Sequence, residues 1–292
     1  MKALVVTNCA TAAYTSGLRA LFPEWDVRGT ALDVAQKWLA EEPNPAFRAF
    51  LSDADLLVLG SENESVFAEF AAVKDVISIP YFYFRGLQPD SFHLGVGEEP
   101  VPSVLQTGNL HSRIAAAAFV LGLTQKQAVA AFNARTYDRI GYFSLFEPEW
   151  QNLLERFAAK RIDLARVFET WRASGNFLYT YNHAKAFVFN DILLEALSGQ
   201  LLDPARRRAA QAALAIVPDY LEPSIRWPVY PDIAARYGIN NDFLWRTGVN
   251  AGPVSMTLDD FVAQSFETLA RFPELTFDCI PGFDSCRAAL VE

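Results

Sequence analysis

The sequence predicts an α/β protein in which a small N-terminal parallel sheet of Rossmann-like type is merged with a mainly helical body. Two patterns carry this prediction: short apolar runs alternate with helical segments over about residues 1–90, and helical periodicity dominates over about residues 108–292. The chain has 292 residues, 51% of them hydrophobic and 20% charged, so it can bury a large core. We therefore expect one domain, 1–292, that contains the sheet unit and the helical body.

The N-terminal unit is predicted as alternating strands and helices. Its first strand is the apolar run Lys2–Thr7, which is typical of a buried parallel strand. Pro23 ends the helix that follows, and the clearest strand ends at Gly60. After the first strand we expect helix 10–22, strand 26–28, helix 33–41, strand 53–60, helix 65–74 and strand 76–79.

The helical body begins after a segment rich in proline and glycine, residues 88–107, which we predict to be a loop. Thr124 and Gln127 have the spacing of a capping box that opens a helix. Pro148 stands where a first helical turn accepts proline. The predicted helices are 125–134, 149–173, 184–197, 204–216, Pro231–Tyr237 and 258–271.

Composition limits the compartment and the partners. The net charge of −9 and the pI of about 5.0 argue against binding of nucleic acid, which needs a broad basic surface. The first apolar run is too short for a signal-peptide core, and no segment approaches the ~18 apolar residues of a transmembrane helix. Three cysteines suit free thiols in a reducing compartment. We expect a cytoplasmic protein, with a homo-oligomer left open.

Two polar loops follow predicted strands: Asn8-Cys9, and the run that starts at Ser61. Ligands of open α/β sheets bind at the carboxyl ends of strands. Neither loop is a glycine-rich nucleotide loop. Cys9 lies where a strand meets a helix N-terminus, so we expect backbone amides to stabilise its thiolate or to hold an anion. The alternative is a small buried thiol that fills space.

The three histidines are His93, His111 and His183, and each lies at a loop or at a helix start. Each is a candidate general base, a phosphate contact or a cap. The histidines are scattered and lack the spacing of a metal site, so we expect no metal.

In combination, these segments resemble the WcbI-type polysaccharide biosynthesis family over nearly the whole chain. Each motif is short, and the signal lies in their order and spacing. The matching pieces are Asn8-Cys9 and residues 80–90, 128–143, 154–156, 163–164, 177–183, 228–231 and 261–272. The chain departs from the family pattern at three places: Ala10 stands for a glutamine, Gln88 for a histidine, and Ala184 for a proline.

This resemblance implies a coenzyme A-binding acetyltransferase that acts on a sugar of a capsular or exported polysaccharide. The catalytic candidates are then Cys9, Asp90, His93 and His183. The cofactor-binding candidates are Asn8, Ala10, Ser61, Arg85, His111, Arg113, Arg139, Asn182 and Lys185, and the cations among them would meet the phosphates of coenzyme A.

Two other functions stay open at this point. The first is an esterase-type hydrolase with Cys9 or Ser61 as nucleophile, which would need water and an ester and would ignore coenzyme A. The second is a non-catalytic binder of a nucleotide-linked sugar, which would keep folding and binding without Cys9.

Overall fold

A computed structural model describes residues 1–72, 74–105, 108–203, 205–240, 242–248, 252 and 254–291. Val73, Gln106, Thr107 and Pro204 belong to predicted segments and lie outside the described residues. The chain divides into two compact units. Unit 1 contains Met1–Phe82, Asn152–Trp171 and His183–Glu222, and unit 2 contains Tyr83–Gln151, Arg172–Asn182 and Pro223–Glu292. Unit 1 thus contains the predicted sheet region together with two later segments of the chain. That the two units form one domain stays a prediction.

The described elements confirm the α/β class, with helices in the majority. The strands are β1 (Lys2–Thr7), β2 (Asp26–Ala31), β3 (Leu56–Gly60), β4 (Asp75–Ile79), β5 (Ser91–His93), β6 (Gly95–Val96), β7 (Glu99–Pro100), β8 (Leu110–Ser112), β9 (Leu178–Thr180), β10 (His183–Ala184), β11 (Trp245–Arg246) and β12 (Ser255–Met256). The helices are α1 (Thr11–Leu21), α2 (Leu32–Ala40), α3 (Pro45–Asp53), α4 (Ala68–Ala71), α5 (Arg113–Val120), α6 (Gln125–Ala130), α7 (Ala134–Ile140), α8 (Phe146–Ala158), α9 (Ala165–Ala173), α10 (Ala186–Leu197), α11 (Arg207–Leu214), α12 (Pro231–Tyr237), α13 (Leu258–Leu269) and α14 (Phe283–Val291). Within the described residues, every helix is too short or too polar to cross a membrane.

Unit 1 is built on a four-stranded sheet in the order β2-β1-β3-β4, and its neighbouring strands are all parallel. The central strands β1 and β3 are buried along nearly their whole length, which explains their continuous apolar sequence. Side chains that alternate along these strands, Leu4 and Val6 among them, pack with Phe47 and Leu51 of α3 in one apolar cluster. Helix α1 lies against α10, and a Cβ at Gly17 would come within 2.5 Å of Leu193.

Unit 2 is mainly helical. Helices α5, α6, α7, α13 and α14 pack against one another. A buried apolar cluster includes Phe92, Leu94, Ala116 and Leu269. The antiparallel strands β5 and β8 are hydrogen-bonded to each other, with His93 paired to Leu110.

Several predicted boundaries are wrong. Residues 88–107 are more than a loop, because β5, β6 and β7 lie within them. The predicted helix 149–173 is two helices, α8 and α9, and Arg161 between them has a left-handed φ of 62° that a continuous helix cannot contain. Helix α3 was not predicted, although Asn44 accepts a hydrogen bond from the Phe47 amide and Pro45 occupies the first turn. The capping box at Thr124 is confirmed.

Candidate functional site

The strand order of unit 1 places its binding edge between β1 and β3. The chain moves from β1 to β2 on one side and then crosses to β3 and β4 on the other, so the carboxyl ends of β1 and β3 form a topological switch point. Cys9 follows β1 and Ser61 follows β3, in the pairing register Val6–Leu59. The two polar loops expected from the sequence therefore leave adjacent strands at the same edge.

The turn that carries Cys9 is held by its own neighbours. The side-chain oxygen of Asn8 accepts a hydrogen bond from the Ala10 amide at 3.2 Å. The Thr11 hydroxyl donates to the Asn8 carbonyl at 2.8 Å and accepts from the Thr7 amide at 3.2 Å. Asn8 and Thr11 thus fix the path from the strand into α1. The Ala10 amide is already used by Asn8, which corrects the expectation that it is free for an anion.

The Cys9 thiol is accessible but protonated. Cys9 is exposed, Cys279 is intermediate and Cys286 is buried. The dense protein around the sulfur raises the pKa of Cys9 to about 11, although the nearby backbone amides of Cys9 and Ala10 act in the opposite direction. The expected thiolate is therefore wrong for the free protein, because the loss of hydration outweighs the amides and the start of α1.

Tyr81, the second residue after β4, closes one side of this edge. A Cβ at Gly60 would lie 2.3 Å from the Tyr81 ring, so glycine is required at the end of β3. Asn63 donates a hydrogen bond to the Tyr81 hydroxyl, and the Tyr81 amide donates to Glu62 at 3.1 Å. Burial, then Glu62, raises the pKa of Tyr81, and the nearby Cys9 adds to the shift. Sequence reasoning missed Tyr81, although its position after a parallel strand is the signal used for Cys9.

Ser61 donates a hydrogen bond from Oγ to the carboxylate of Glu62 at 3.0 Å. Its side chain is partly buried, and no histidine contact of Ser61 is found in the described part of the chain. These contacts offer no partner of the kind that activates a serine nucleophile.

A second group of candidate residues lies in unit 2, around Tyr181. The guanidinium of Arg85 lies 5.0 Å from the Tyr181 ring centre, and the His93 ring lies 5.8 Å from it, edge to face. Arg85 and His93 are exposed, whereas Tyr181 is buried. The Nδ1 atom of His93 is 2.7 Å from Oδ1 of Asn109. This group combines a fixed imidazole with a cation at the surface of unit 2.

Asp90 has a structural position, which corrects its assignment as a catalytic residue. Its side chain is fully buried, with 0% exposed. Both oxygens accept two hydrogen bonds each. The donors are the Tyr142 hydroxyl at 2.7 Å and the Ile114 amide at 2.9 Å for Oδ1, and the Tyr230 hydroxyl at 2.6 Å and the Ser112 hydroxyl for Oδ2. We call Asp90 and these four residues the Asp90 cluster. A carboxylate so enclosed has no face for a substrate.

Three candidates for cofactor binding are also engaged by the protein itself. His111 is buried, its Nε2 is bonded to the Val101 carbonyl at 2.9 Å, and burial lowers its pKa. Arg113 is partly buried, with its guanidinium 5.8 Å from the Tyr142 ring centre. Arg139 is exposed, donates to the Ala288 carbonyl at 3.3 Å, and lines an open cavity of about 300 Å³. The structure gives His111 a structural role, which corrects that assignment.

The remaining candidates lie near the start of α10. His183 and Lys185 are partly buried and belong to unit 1, and Lys185 directly precedes the helix. Asn182 belongs to unit 2, and its side-chain oxygen accepts a hydrogen bond from the Thr180 hydroxyl at 2.9 Å. In the described part of the chain, no group of three or more His, Cys, Asp or Glu side chains could hold a metal ion.

Comparison with known proteins gives a family and a fold. A family model described as polysaccharide biosynthesis enzyme WcbI matches residues 2–199. A solved structure of WcbI, described as a novel polysaccharide biosynthesis enzyme, is similar with a TM-score of 0.68 and 14% identity, over 99% of this chain and 97% of that one. That structure is the native protein without a disulfide bond between coenzyme A and one of its cysteines. No curated protein matches the chain.

Proposed function

Because the chain belongs to the WcbI family of polysaccharide biosynthesis enzymes, we propose that it is a coenzyme A-dependent acyltransferase that O-acetylates a sugar. One observation carries the proposal: Cys9 is the exposed cysteine, and it lies at the switch point of the sheet. The similar WcbI structure is of the native protein without a disulfide bond between coenzyme A and one of its cysteines, which places coenzyme A and a cysteine thiol together in that protein. A cofactor whose reactive end is a thiol would be placed beside Cys9 at this edge.

The residues of the edge suit the binding of the cofactor's thiol end. The side chain of Asn8 holds the turn, and the backbone amides of Cys9 and Ala10 lie close enough to the Cys9 sulfur to favour its charged form. Gly60 and Tyr81 form an adjoining wall. Among the predicted cations, Lys185 belongs to unit 1 as Cys9 does and is partly exposed, so it is our candidate for the phosphates. Arg85, Arg113 and Arg139 belong to unit 2 and stay predictions. Ser61 and Asn182 stay proposed contacts.

Acetyl-CoA supplies the acyl group as a thioester. We assign the base that takes the proton of the sugar hydroxyl to His93 or His183. The hydroxyl oxygen forms a bond to the acyl carbon, the carbon–sulfur bond breaks, and its electron pair leaves on sulfur, which accepts a proton. The raised pKa of Cys9 favours this direct transfer over attack by Cys9, because the thiol holds its proton near neutral pH.

Calorimetric titration of the purified chain with coenzyme A tests the cofactor assignment. We expect saturable binding at micromolar concentration for the wild type and weaker binding for Cys9→Ser. Cys279→Ser is the matched control, because Cys279 lies in unit 2 and should leave the affinity unchanged. Absence of binding up to millimolar coenzyme A would overturn the proposal.

An activity assay separates the proposal from its alternatives. Release of free coenzyme A from acetyl-CoA, followed with a thiol reagent, should depend on an added sugar acceptor. Hydrolysis of a simple ester that is indifferent to coenzyme A would indicate the hydrolase. Binding of a nucleotide-linked sugar that persists in Cys9→Ala, without any turnover, would indicate the non-catalytic binder.

A further inference from the structure

The imidazole of His93 is held by a side chain that the sequence does not single out. His93 is the last residue of β5 and pairs with Leu110, the first residue of β8. Asn109 directly precedes β8, and its carbonyl accepts a hydrogen bond from the Leu94 amide at 2.9 Å. The backbone therefore fixes both residues side by side, and the 2.7 Å contact between His93 Nδ1 and Asn109 Oδ1 joins two neighbouring strands.

The amide group of Asn109 can face His93 in one way only. Its Nδ2 donates to the Leu94 carbonyl at 3.1 Å. A backbone carbonyl only accepts hydrogen bonds, so the nitrogen of the amide must point to Leu94 and the oxygen to His93. The oxygen of an amide also only accepts. The hydrogen bond therefore requires a proton on Nδ1 of His93.

A neutral imidazole with its proton on Nδ1 carries its lone pair on Nε2. His93 is exposed, and Nε2 makes no hydrogen bond to any residue that the structure describes. The ring is steadied from the side by its edge-to-face contact with Tyr181 at 5.8 Å. The result is an accessible, oriented nitrogen that can accept a proton.

We propose that Asn109 is a positioning residue that sets the tautomer of His93 and thereby presents Nε2 as the base. The assignment of the tautomer stands by itself. The identity of the proton donor, the hydroxyl of the acceptor sugar, rests on the proposed function. In the transfer, the O–H bond breaks, the proton moves to Nε2, and the imidazolium keeps its Nδ1 proton bonded to Asn109.

Multiple-bond ¹H–¹⁵N spectra of the full ¹⁵N-labelled chain above about pH 8 test the tautomer, because an ordinary histidine is neutral there. We expect His93 to show a protonated Nδ1 and an unprotonated Nε2. His111 is an internal control with the opposite pattern, because its Nε2 must donate to the Val101 carbonyl at 2.9 Å. A His93→Gln variant assigns the signals. A protonated Nε2 in wild-type His93 would overturn the proposal.

Two substitutions then link the tautomer to the base. In Asn109→Leu the acceptor is lost, so the His93 pattern should change while that of His111 stays the same. In Asn109→Asp the acceptor is kept, so His93 should keep a protonated Nδ1 and an unprotonated Nε2. Loss of that pattern in Asn109→Asp would contradict the contact.

If acyl transfer is detected, the kcat and KM of the Asn109 variants test whether the tautomer of His93 matters for catalysis. A general base contributes roughly 10²–10⁴-fold, so Asn109→Leu should lower kcat at least about tenfold and leave the KM for acetyl-CoA nearly unchanged. In Asn109→Asp the acceptor is kept, so kcat should stay near the wild-type value. A wild-type kcat in Asn109→Leu, or an equal fall in both variants, would refute the positioning role. If no transfer occurs at all, the proposed function fails, and the NMR result still decides the tautomer.

Discussion

In the Asp90 cluster, all polar atoms of the central carboxylate are used by the fold, whereas the turn at Cys9 leaves its sulfur exposed at the edge of the sheet. Both regions are held by side-chain hydrogen bonds at the end of a strand, because Asp90 directly precedes β5 and Asn8 directly follows β1. The difference is that Asp90 is saturated with donors, while Cys9 keeps a face for another molecule. Because its carboxylate is saturated with donors, the first region has a structural role, and the exposed sulfur of the second agrees with the ligand site that we propose there.

The largest effect should follow from Asp90→Ala. Removing the carboxylate leaves the buried Tyr142 and Tyr230 hydroxyls and the Ile114 amide without their acceptor. We expect a loss of about 3 kcal/mol or more in the free energy of unfolding, measured by chemical denaturation. Asp284→Ala is the matched control, because Asp284 is 87% exposed, and it should change stability by less than about 0.5 kcal/mol.

Asp90→Asn sharpens the same comparison. The Ile114 amide can only donate, so the amide oxygen of the new side chain must face it, and the new NH₂ must face Ser112 and Tyr230, whose hydroxyls can turn to accept. The cost should therefore be smaller than for Asp90→Ala. Equal losses in the two variants would show that the carboxylate charge, rather than the hydrogen bonds, stabilises the cluster.

The second largest effect concerns the reactivity of Cys9. A pKa of about 11 keeps the thiol protonated, so its alkylation should rise about tenfold for each pH unit between pH 8 and pH 10. At pH 8 the folded chain should react roughly a hundredfold more slowly at Cys9 than the chain in denaturant, where the thiol is ordinary. Peptide mass spectrometry separates Cys9 from the other two cysteines. An alkylation rate that levels off near pH 7 would show that Cys9 is a thiolate at neutral pH, as the sequence predicted.

Gly60→Ala should have a smaller effect, confined to the edge. The added Cβ would come within 2.3 Å of the Tyr81 ring, so the ring must move. We expect a loss of about 1–3 kcal/mol in unfolding free energy. In a Tyr81→Ala background the same substitution should cost less, because the obstructing ring is gone. Equal costs in both backgrounds would exclude Tyr81 as the cause.

The central strands β1 and β3 were predictable because they are buried on both faces and read as apolar runs. β1 was predicted at its observed limits, and Cys9 follows from the position of that strand. The short strands β5 and β8 could not be predicted, because three residues show no periodicity and the two strands pair only through tertiary contacts. Asn109 was missed for this reason.

Asp90 was misassigned for a related reason. A sequence shows that a residue can ionise, but burial and hydrogen bonds from distant positions decide whether it is accessible. Its partners Tyr142 and Tyr230 lie 52 and 140 positions away along the chain. Local spacing cannot show contacts of that range.

The smallest effect, and the most specific one, should come from Asn8→Ala. Its side-chain oxygen accepts from the Ala10 amide at 3.2 Å, so its removal should cost about 1 kcal/mol of stability. Thr124→Ala removes the capping box of α6 in unit 2 and should cost about the same. The two variants should therefore lose similar stability, but only Asn8→Ala alters the turn that carries Cys9. Titration with coenzyme A should show weaker binding for Asn8→Ala and unchanged binding for Thr124→Ala. An equal fall in both would mean that affinity follows the stability of the whole fold, whereas a fall in Asn8→Ala alone would tie the ligand to the turn that carries Cys9.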